Sequence, residues 1–328
     1  MNKMAIITTI VGSYPTHSFK ANTFNEKLNE TLGLYDSYKK AIIESVHSFV
    51  KSDIDIICDG QVRGDMVKIF ASKINGFRIE DNTAFIKGKI TPAAHPISVK
   101  DFQLAFKTAK SIDNKFKLNA DLNDIFKHEA KGVKGILTGP TTLTHSSLIE
   151  NFYTKKENAI YDMARALLVE AKELEKAGAC AIQIDEPFIS TGAEDINVSR
   201  NAVELISEEL DIPVILHVCG DLENVMKDLL DFDVDILDFE FSGMPQNIPT
   251  LKKFWKSNCK KNIGIGCVNT KLKSVDNKED VVKTVKEVKN IIKRDNIIID
   301  PDCGMRILED EISQGKLDIL KEIKTEGI

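Results

Sequence analysis

The sequence predicts an α/β protein built as a closed (β/α)8 barrel, the TIM-barrel class. Three observations predict it. Short apolar runs rich in Ile and Val alternate with longer stretches of helical periodicity, as parallel strands covered by helices on their faces must. The runs number eight, three in the first half of the chain and five in the second, which favours a closed barrel over an open doubly wound sheet. Polar residues capable of chemistry follow the strands at their carboxyl ends, the edge where such barrels carry their sites.

Strand one is 6–11, ended by Gly12-Ser13-Tyr14-Pro15. A helix over 35–51 follows, with Ala41, Ile42, Val46 and Val50 on one stripe. Strand two is 54–58, ended by Asp59-Gly60. Residues from about 76 to 132 then break the alternation. Runs 77–80 and 84–87 read as a β-hairpin joined by Asp81-Asn82-Thr83, and a helix follows near 99–111, so this region is expected to be an insertion between strands two and three. Strand three is 135–137, ended by Thr138-Gly139-Pro140. The helix over 158–176 repeats Met163, Leu167, Ala171 and Leu174 at helical spacing. Strands four to eight are 181–184, 214–216, 236–239, 263–265 and 297–299. Helical runs at 200–210, 222–230, 248–256 and 278–293 separate them, and a last helix covers roughly 308–323.

The 328 residues fit one barrel with an insertion, and a single domain spanning 1–328 is expected. Hydrophobic residues make up 42% and charged residues 29%, enough apolar surface for a sizeable core. The net charge of −6, with no basic stripe, argues against a nucleic-acid partner. No apolar run approaches the ~20 residues of a membrane span. The amino-terminal Met-Asn-Lys-Met-Ala-Ile-Ile carries no signal-peptide core, so a cytoplasmic location is expected, where cysteines stay reduced and bind metal or react. Of the six cysteines, Cys58, Cys180, Cys259 and Cys267 read as small buried hydrophobes.

The most informative pair is His217 and Cys219, which end the run Pro213-Val-Ile-Leu-His-Val-Cys-Gly220. Cys303 follows another strand in Ile297-Ile-Ile-Asp-Pro-Asp-Cys-Gly304. One such residue alone is more often core than ligand; three soft donors at strand ends suit a zinc ion with an open position. Glu240 ends the strand after the one bearing His217, at the same rim, and is the candidate fourth ligand. Hydrolytic zinc sites use mostly His and carboxylate donors, whereas thiolate donors turn the chemistry toward activation and alkylation of a substrate thiol.

Other rim motifs agree in position. The Gly12-Ser13 turn offers backbone N–H groups and a hydroxyl to an anion, although by itself it is an ordinary βα turn. Asp59 to Met66 is rich in polar groups where a core would not want them. Asp185-Glu186 puts two carboxylates after strand four, able to bind an ammonium or to cap the next helix.

Taken together, Val11-Gly12-Ser13-Tyr14-Pro15, residues 59–67, Leu137-Thr138-Gly139-Pro140, residues 182–187, His217-Val218-Cys219, Glu240 and Asp300-Pro301-Asp302-Cys303-Gly304 resemble, in order and over nearly the whole chain, the catalytic barrel of the cobalamin-independent methionine synthases. The resemblance implies zinc held by His217, Cys219, Glu240 and Cys303, and homocysteine held by its thiol on zinc. It also implies that the amino-acid end of homocysteine meets Val11, Gly12, Ser13, Gln61 and Asp185, with Asp185 suited to the ammonium and Ser13 to the carboxylate. No residue is assigned a catalytic role beyond thiol activation; Glu186 and Asn269 are the candidates for one.

Three departures bear on the donor and the site. The chain has no counterpart of the amino-terminal half that helps bind methyl-folate, and so resembles the short archaeal form, for which a methylated corrinoid or corrinoid protein is the expected donor. Gly60-Gln61 stands where the family often has Gly-Glu, which removes a carboxylate from the amino-group end. The loop Cys267-Val268-Asn269-Thr270-Lys271 lacks the histidine that would protonate a folate leaving group, which a corrinoid does not need. The alternative is a zinc-dependent coenzyme M or other thiol methyltransferase of the same superfamily. Uroporphyrinogen decarboxylase shares the barrel but would leave the thiols idle, and a purely corrinoid- or zinc-binding barrel would have no turnover to lose.

Overall fold

The computed structural model describes residues 5–15 and 17–328. Its strands are β1 (Ala5–Thr8), β2 (Ile56–Ile57), β3 (Asn75–Glu80), β4 (Thr83–Thr91), β5 (Gly132–Val133), β6 (Gly135–Thr138), β7 (Ser147–Ile149), β8 (Ile182–Asp185), β9 (Val214–Val218), β10 (Ile236–Glu240), β11 (Asn262–Val268) and β12 (Asn296–Pro301). Seven of them form one parallel sheet in the order β1-β12-β11-β10-β9-β8-β6. The ring closes through β2. Thr9, next to β1, bridges Ile56 in parallel, and β2 pairs in parallel with β5, which runs straight into β6. The Asp55 and Lys134 N–H groups donate to Thr8 and Ile57 carbonyls across these joints, at 3.1 and 2.8 Å. The expected eight-stranded barrel is therefore present, its third strand split into β5 and β6.

Helices cover the outside. Lys39–Lys51, Lys156–Lys176, Ile196–Ser207, Met226–Leu229, Asn247–Phe254, Lys278–Ile292 and Asp310–Glu326 lie where the helical periodicity places them, with ends shifted by a few residues. Each turns its apolar stripe onto the sheet; in Lys156–Lys176 the buried face includes Met163, Leu167, Ala171 and Leu174. Phe24–Thr31 buries none of its residues, and the apolar Phe24 and Leu28 on one of its faces stay exposed.

The insertion contains the expected hairpin, its first strand starting two residues early at Asn75 and its second running on to Thr91, and it turns through Asp81 and Asn82, both at positive φ. Such a two-residue turn matches the twist of the flanking strands, and Asn and Asp tolerate its left-handed backbone. The helix Val99–Ile112 follows. The insertion does not stand alone: β7, from beyond the third barrel strand, adds to β4 in parallel and makes a three-stranded sheet.

Inside the barrel, residues two apart on a strand share a face. Ile7, Ile56, Ile215, Ile236 and Ile298 form one buried apolar layer, plugged from below by Ile125 and Phe126 of the short helix Leu122–Phe126. The next inward positions are Thr9, His217, Asp238 and Asp300, all buried. The floor is thus oily and the mouth polar.

Candidate functional site

Strand register builds the site. Asp185 of β8 pairs with His217 of β9, and His217 with Asp238 of β10, so three polar side chains stand at one level of the barrel. Gly264 is the Asp238 partner on β11; a Cβ there would stand 2.6 Å from Asp238 Oδ1, so glycine leaves room for the carboxylate. His217 Nδ1 lies 2.7 Å from Asp238 Oδ2. A carboxylate on one ring nitrogen fixes the imidazole and leaves the other to a ligand. That other nitrogen, Nε2, is buried without a hydrogen-bond partner.

Two sulfurs stand in front of it. Cys219 follows β9 directly, and Cys303 comes from the loop after β12, three strands further round the ring. The ligand atoms of His217, Cys219 and Cys303 all lie within 4.8 Å of one another. Burial opposes a charge on His217, but Asp238 and the sulfurs outweigh it and raise its pKa well above the ordinary value. The two thiols act on each other. Contact with Cys219, aided by His217 against burial, pulls Cys303 down to about 4, and the same contact pushes Cys219 up. A buried, unpartnered imidazole nitrogen facing two sulfurs is a donor set that fits a thiophilic cation.

Glu240 ends β10 beside the cluster and is buried, but is not one of the three. Its Oε2 accepts from the Gly220 N–H at 2.9 Å and its Oε1 from Lys271 Nζ at 2.5 Å. Asp302 lies behind it, accepting the N–H groups of Phe241, Ser242 and Gly243. Burial first, and then the Glu240 charge, raise the Asp302 carboxyl to about 8.

Val11, Gly12, Ser13, Gln61 and Asp185 line a cavity of about 280 Å³ together with His217, Cys219 and Cys303. Asp185 is buried at its wall, bonded at 2.6 Å to Gln183, and burial raises its carboxyl to about 6. Ser13 is pressed against the Cys303 loop. Its carbonyl accepts from Met305 N–H at 2.7 Å, and a Cβ on Gly304 would come within 2.1 Å of Ser13 Oγ.

The remaining candidates are placed elsewhere. Glu186 is buried and accepts from Thr141 N–H, Thr142 N–H and Thr142 Oγ1 at 2.7–2.8 Å; burial outweighs these bonds and moves it up to about 7. Asn269 organises its own loop, accepting from Lys271 N–H and donating to Asp276. Neither lines the cavity. Sequence reasoning missed Asp238, although a carboxylate inside an otherwise apolar strand was a signal for it. It also missed Arg306 and Lys271, loop residues with no local pattern to mark them; Asp65 lies in the polar run 59–66 that the sequence marked, without being named as a site residue by itself.

No helix among the described residues is long and apolar enough to cross a membrane. Residues 6–325 match the family model of the cobalamin-independent synthase catalytic domain. The chain is 44% identical over 314 residues to the methionine synthase of Methanothermobacter thermautotrophicus, covering 95% of this chain and 97% of that one. It is 41% identical over 326 residues to the methionine synthase of Methanocaldococcus jannaschii, covering 95% and 96%. Its fold matches a B12-independent methionine synthase from Shewanella sp. W3-18-1, solved with selenomethionine, at a TM-score of 0.79, 20% identity and 98% coverage of both chains. The chain belongs to the cobalamin-independent methionine synthase catalytic-domain family and is a methyltransferase.

Proposed function

We propose that the chain, acting as one catalytic unit over 1–328, methylates the thiol of homocysteine to give methionine at a zinc site. His217, Cys219 and Cys303 would hold the ion, with Glu240 the fourth donor once Lys271 releases it. The observation that carries this reading is the unpartnered His217 Nε2 facing two sulfurs at the wall of a cavity that also holds Asp185, Gly12 and Ser13. A bound zinc ion would supply thiol activation, favouring the thiolate of the substrate at neutral pH.

The chain's own residues do the rest. Asp185 pairs with the substrate ammonium, and Ser13 with the adjacent backbone receives its carboxylate. Asp238 fixes the His217 ring. The substrate sulfur then forms a bond to the methyl carbon as the bond from methyl to donor breaks, the electron pair staying with the donor and the thiol proton passing to solvent. Holding sulfur and methyl in line is the main contribution of the cavity. The donor we assign is a methylated corrinoid, free or protein-bound. With six free cysteines, two of them needed as thiolates, the protein suits the reducing cytoplasm.

The test is metal analysis combined with an assay crossing homocysteine and coenzyme M against methylcobalamin and methyl-folate. Zinc near one per chain and methionine formed from methylcobalamin are expected. Faster methylation of coenzyme M would favour the alternative thiol, and no product from zinc-loaded protein with any pair would overturn the proposal.

A further inference from the structure

One cation in the cavity has no carboxylate in contact with it. Arg306 lines it, and among the described residues no carboxylate forms a salt bridge with its guanidinium; Asp65, on the same cavity, acts on it only through space. Its hydrogen bond runs from Nη2 to the Gln61 carbonyl at 2.6 Å, which uses one of the five N–H donors of the group. Burial weakens its basicity, partly offset through space by Asp65 and Tyr38. A guanidinium stays charged under these conditions, and a half-buried charge without a partner is costly unless an anion completes it.

Its place in the cavity narrows the anion. Gly304 and Met305 are pinned on Ser13, so Arg306 and Ser13 flank one corner. Asp185 stands on β8 and the sulfur cluster on the β9 and β12 loops, so the cavity carries a carboxylate, a guanidinium and thiol-binding donors on separate elements. An ammonium, a carboxylate and a thiol on one carbon skeleton match the three. We propose that Arg306 is a specificity-determining residue that reads the α-carboxylate of the amino-acid thiol, held in place by the Gln61 carbonyl; this rests on the homocysteine reading above. Ser13 and the neighbouring backbone contribute neutral donors, and Arg306 contributes the charge. A planar fork with free donors is the group best matched to a carboxylate.

The experiment compares wild type, Arg306→Lys and Arg306→Met on homocysteine, on 3-aminopropanethiol, which lacks only the carboxylate, and on 4-mercaptobutyrate, which lacks only the amino group. Wild type is expected to favour homocysteine over 3-aminopropanethiol in kcat/KM by about 10- to 100-fold, the range for a charge-assisted pair. Arg306→Met is expected to abolish that preference, mostly through KM, while leaving 3-aminopropanethiol within about threefold of wild type; Arg306→Lys is expected to fall between. The variant should also weaken 4-mercaptobutyrate in parallel with homocysteine. An equal loss on all three thiols would make Arg306 a clamp for the Gln61 loop, and no change would remove it from recognition; either result overturns the proposal. Calorimetric titration of homocysteine into zinc-loaded wild type and Arg306→Met reads the same contact without turnover. A weakened Kd there supports Arg306 even if every donor fails, whereas wild type that binds no homocysteine defeats the homocysteine reading itself.

Discussion

In β9, β10 and β12 the two interior layers of the barrel are two residues apart, yet they differ in kind. Ile215, Ile236 and Ile298 lie below; His217, Asp238 and Asp300 lie above. The polar groups at the two ends differ as well. Beneath the floor, Lys131 pairs with Asp53 at 2.5 Å and with Asp113 at 3.0 Å, and Lys324 pairs with Asp53 at 2.7 Å and with Asp55 at 2.8 Å. At the mouth, His217 Nε2 is buried without a hydrogen-bond partner, and the Asp238 and Asp300 carboxyls lie against each other, burial and the Asp238 charge holding Asp300 well above its ordinary pKa. Buried polar groups are normally paired, so the lower end reads as a finished structure and the mouth as one completed by what binds there. The same strands serve both ends, and only the identity of alternate residues separates stability from chemistry.

The comparison breaks first if the mouth cluster proves dispensable. Cys219→Ser keeps the volume but replaces a soft donor with a poor one. Methylation should fall by more than the roughly 100-fold that loss of an outer-shell partner costs, with bound metal lost in parallel. Circular dichroism should show the fold intact. Metal and rate retained together would place the chemistry elsewhere. At the other end, Lys324→Met strands the Asp55 carboxylate, which is 1% exposed and otherwise held by Thr8 N–H and Thr8 Oγ1. An uncompensated buried charge should cost about 3 kcal/mol in denaturant unfolding. The kcat per folded molecule should stay at the wild-type value, and a variant with normal stability but slowed turnover would contradict the division of labour.

Much of this contrast was legible in the chain, because its signals are local. Apolar runs ending in polar turns marked the barrel strands, and period two put His217 on the inward face with Ile215. Cys219 and Cys303 then had to meet at the mouth, since every parallel strand ends on the same side. What was not legible depends on distant contacts or side-chain direction. β7 pairs with β4 across about 60 residues with no pattern to announce it. The lysine partner of Glu240 lies in a loop whose path only the fold sets. The helix Phe24–Thr31 carries Phe24 and Leu28 one turn apart, with Leu32 a turn further on, yet leaves them exposed, so its short apolar stripe has no core partner; the reciprocal bonds between Thr23 and Glu26 were its other available mark.

A finer probe of the mouth is Asp238→Asn, which retains a hydrogen-bonding group toward His217 but removes the charge that orients and polarises the ring. Metal affinity should fall by about 10- to 100-fold, read by competition with a chromophoric chelator, while unfolding of the metal-free protein changes little. An affinity within twofold of wild type would mean that packing, including the space left by Gly264, orients His217 without help from the carboxylate.

The smallest effect tests the lower end by pH. Burial works to raise the Asp53 carboxyl, but hydrogen bonds and charge from Lys131 and Lys324 outweigh it and bring it down from 3.8 to about 2. A carboxylate depressed in the folded state adds stability that is fully present above its unfolded value and disappears as pH falls through its folded value. Wild type should therefore lose stability between about pH 4 and 2 more steeply than Asp53→Asn. Because the Asp53 side chain is 43% exposed, solvent screening holds the difference to under about 1 kcal/mol, and added salt should shrink it further. The His217–Asp238 pair is 3% exposed on both sides, so the same salt should leave metal affinity at neutral pH nearly unchanged. Equal salt sensitivity at both ends would mean that solvent reaches the mouth as freely as the floor, and the unpartnered groups there would be hydrated and not awaiting a ligand.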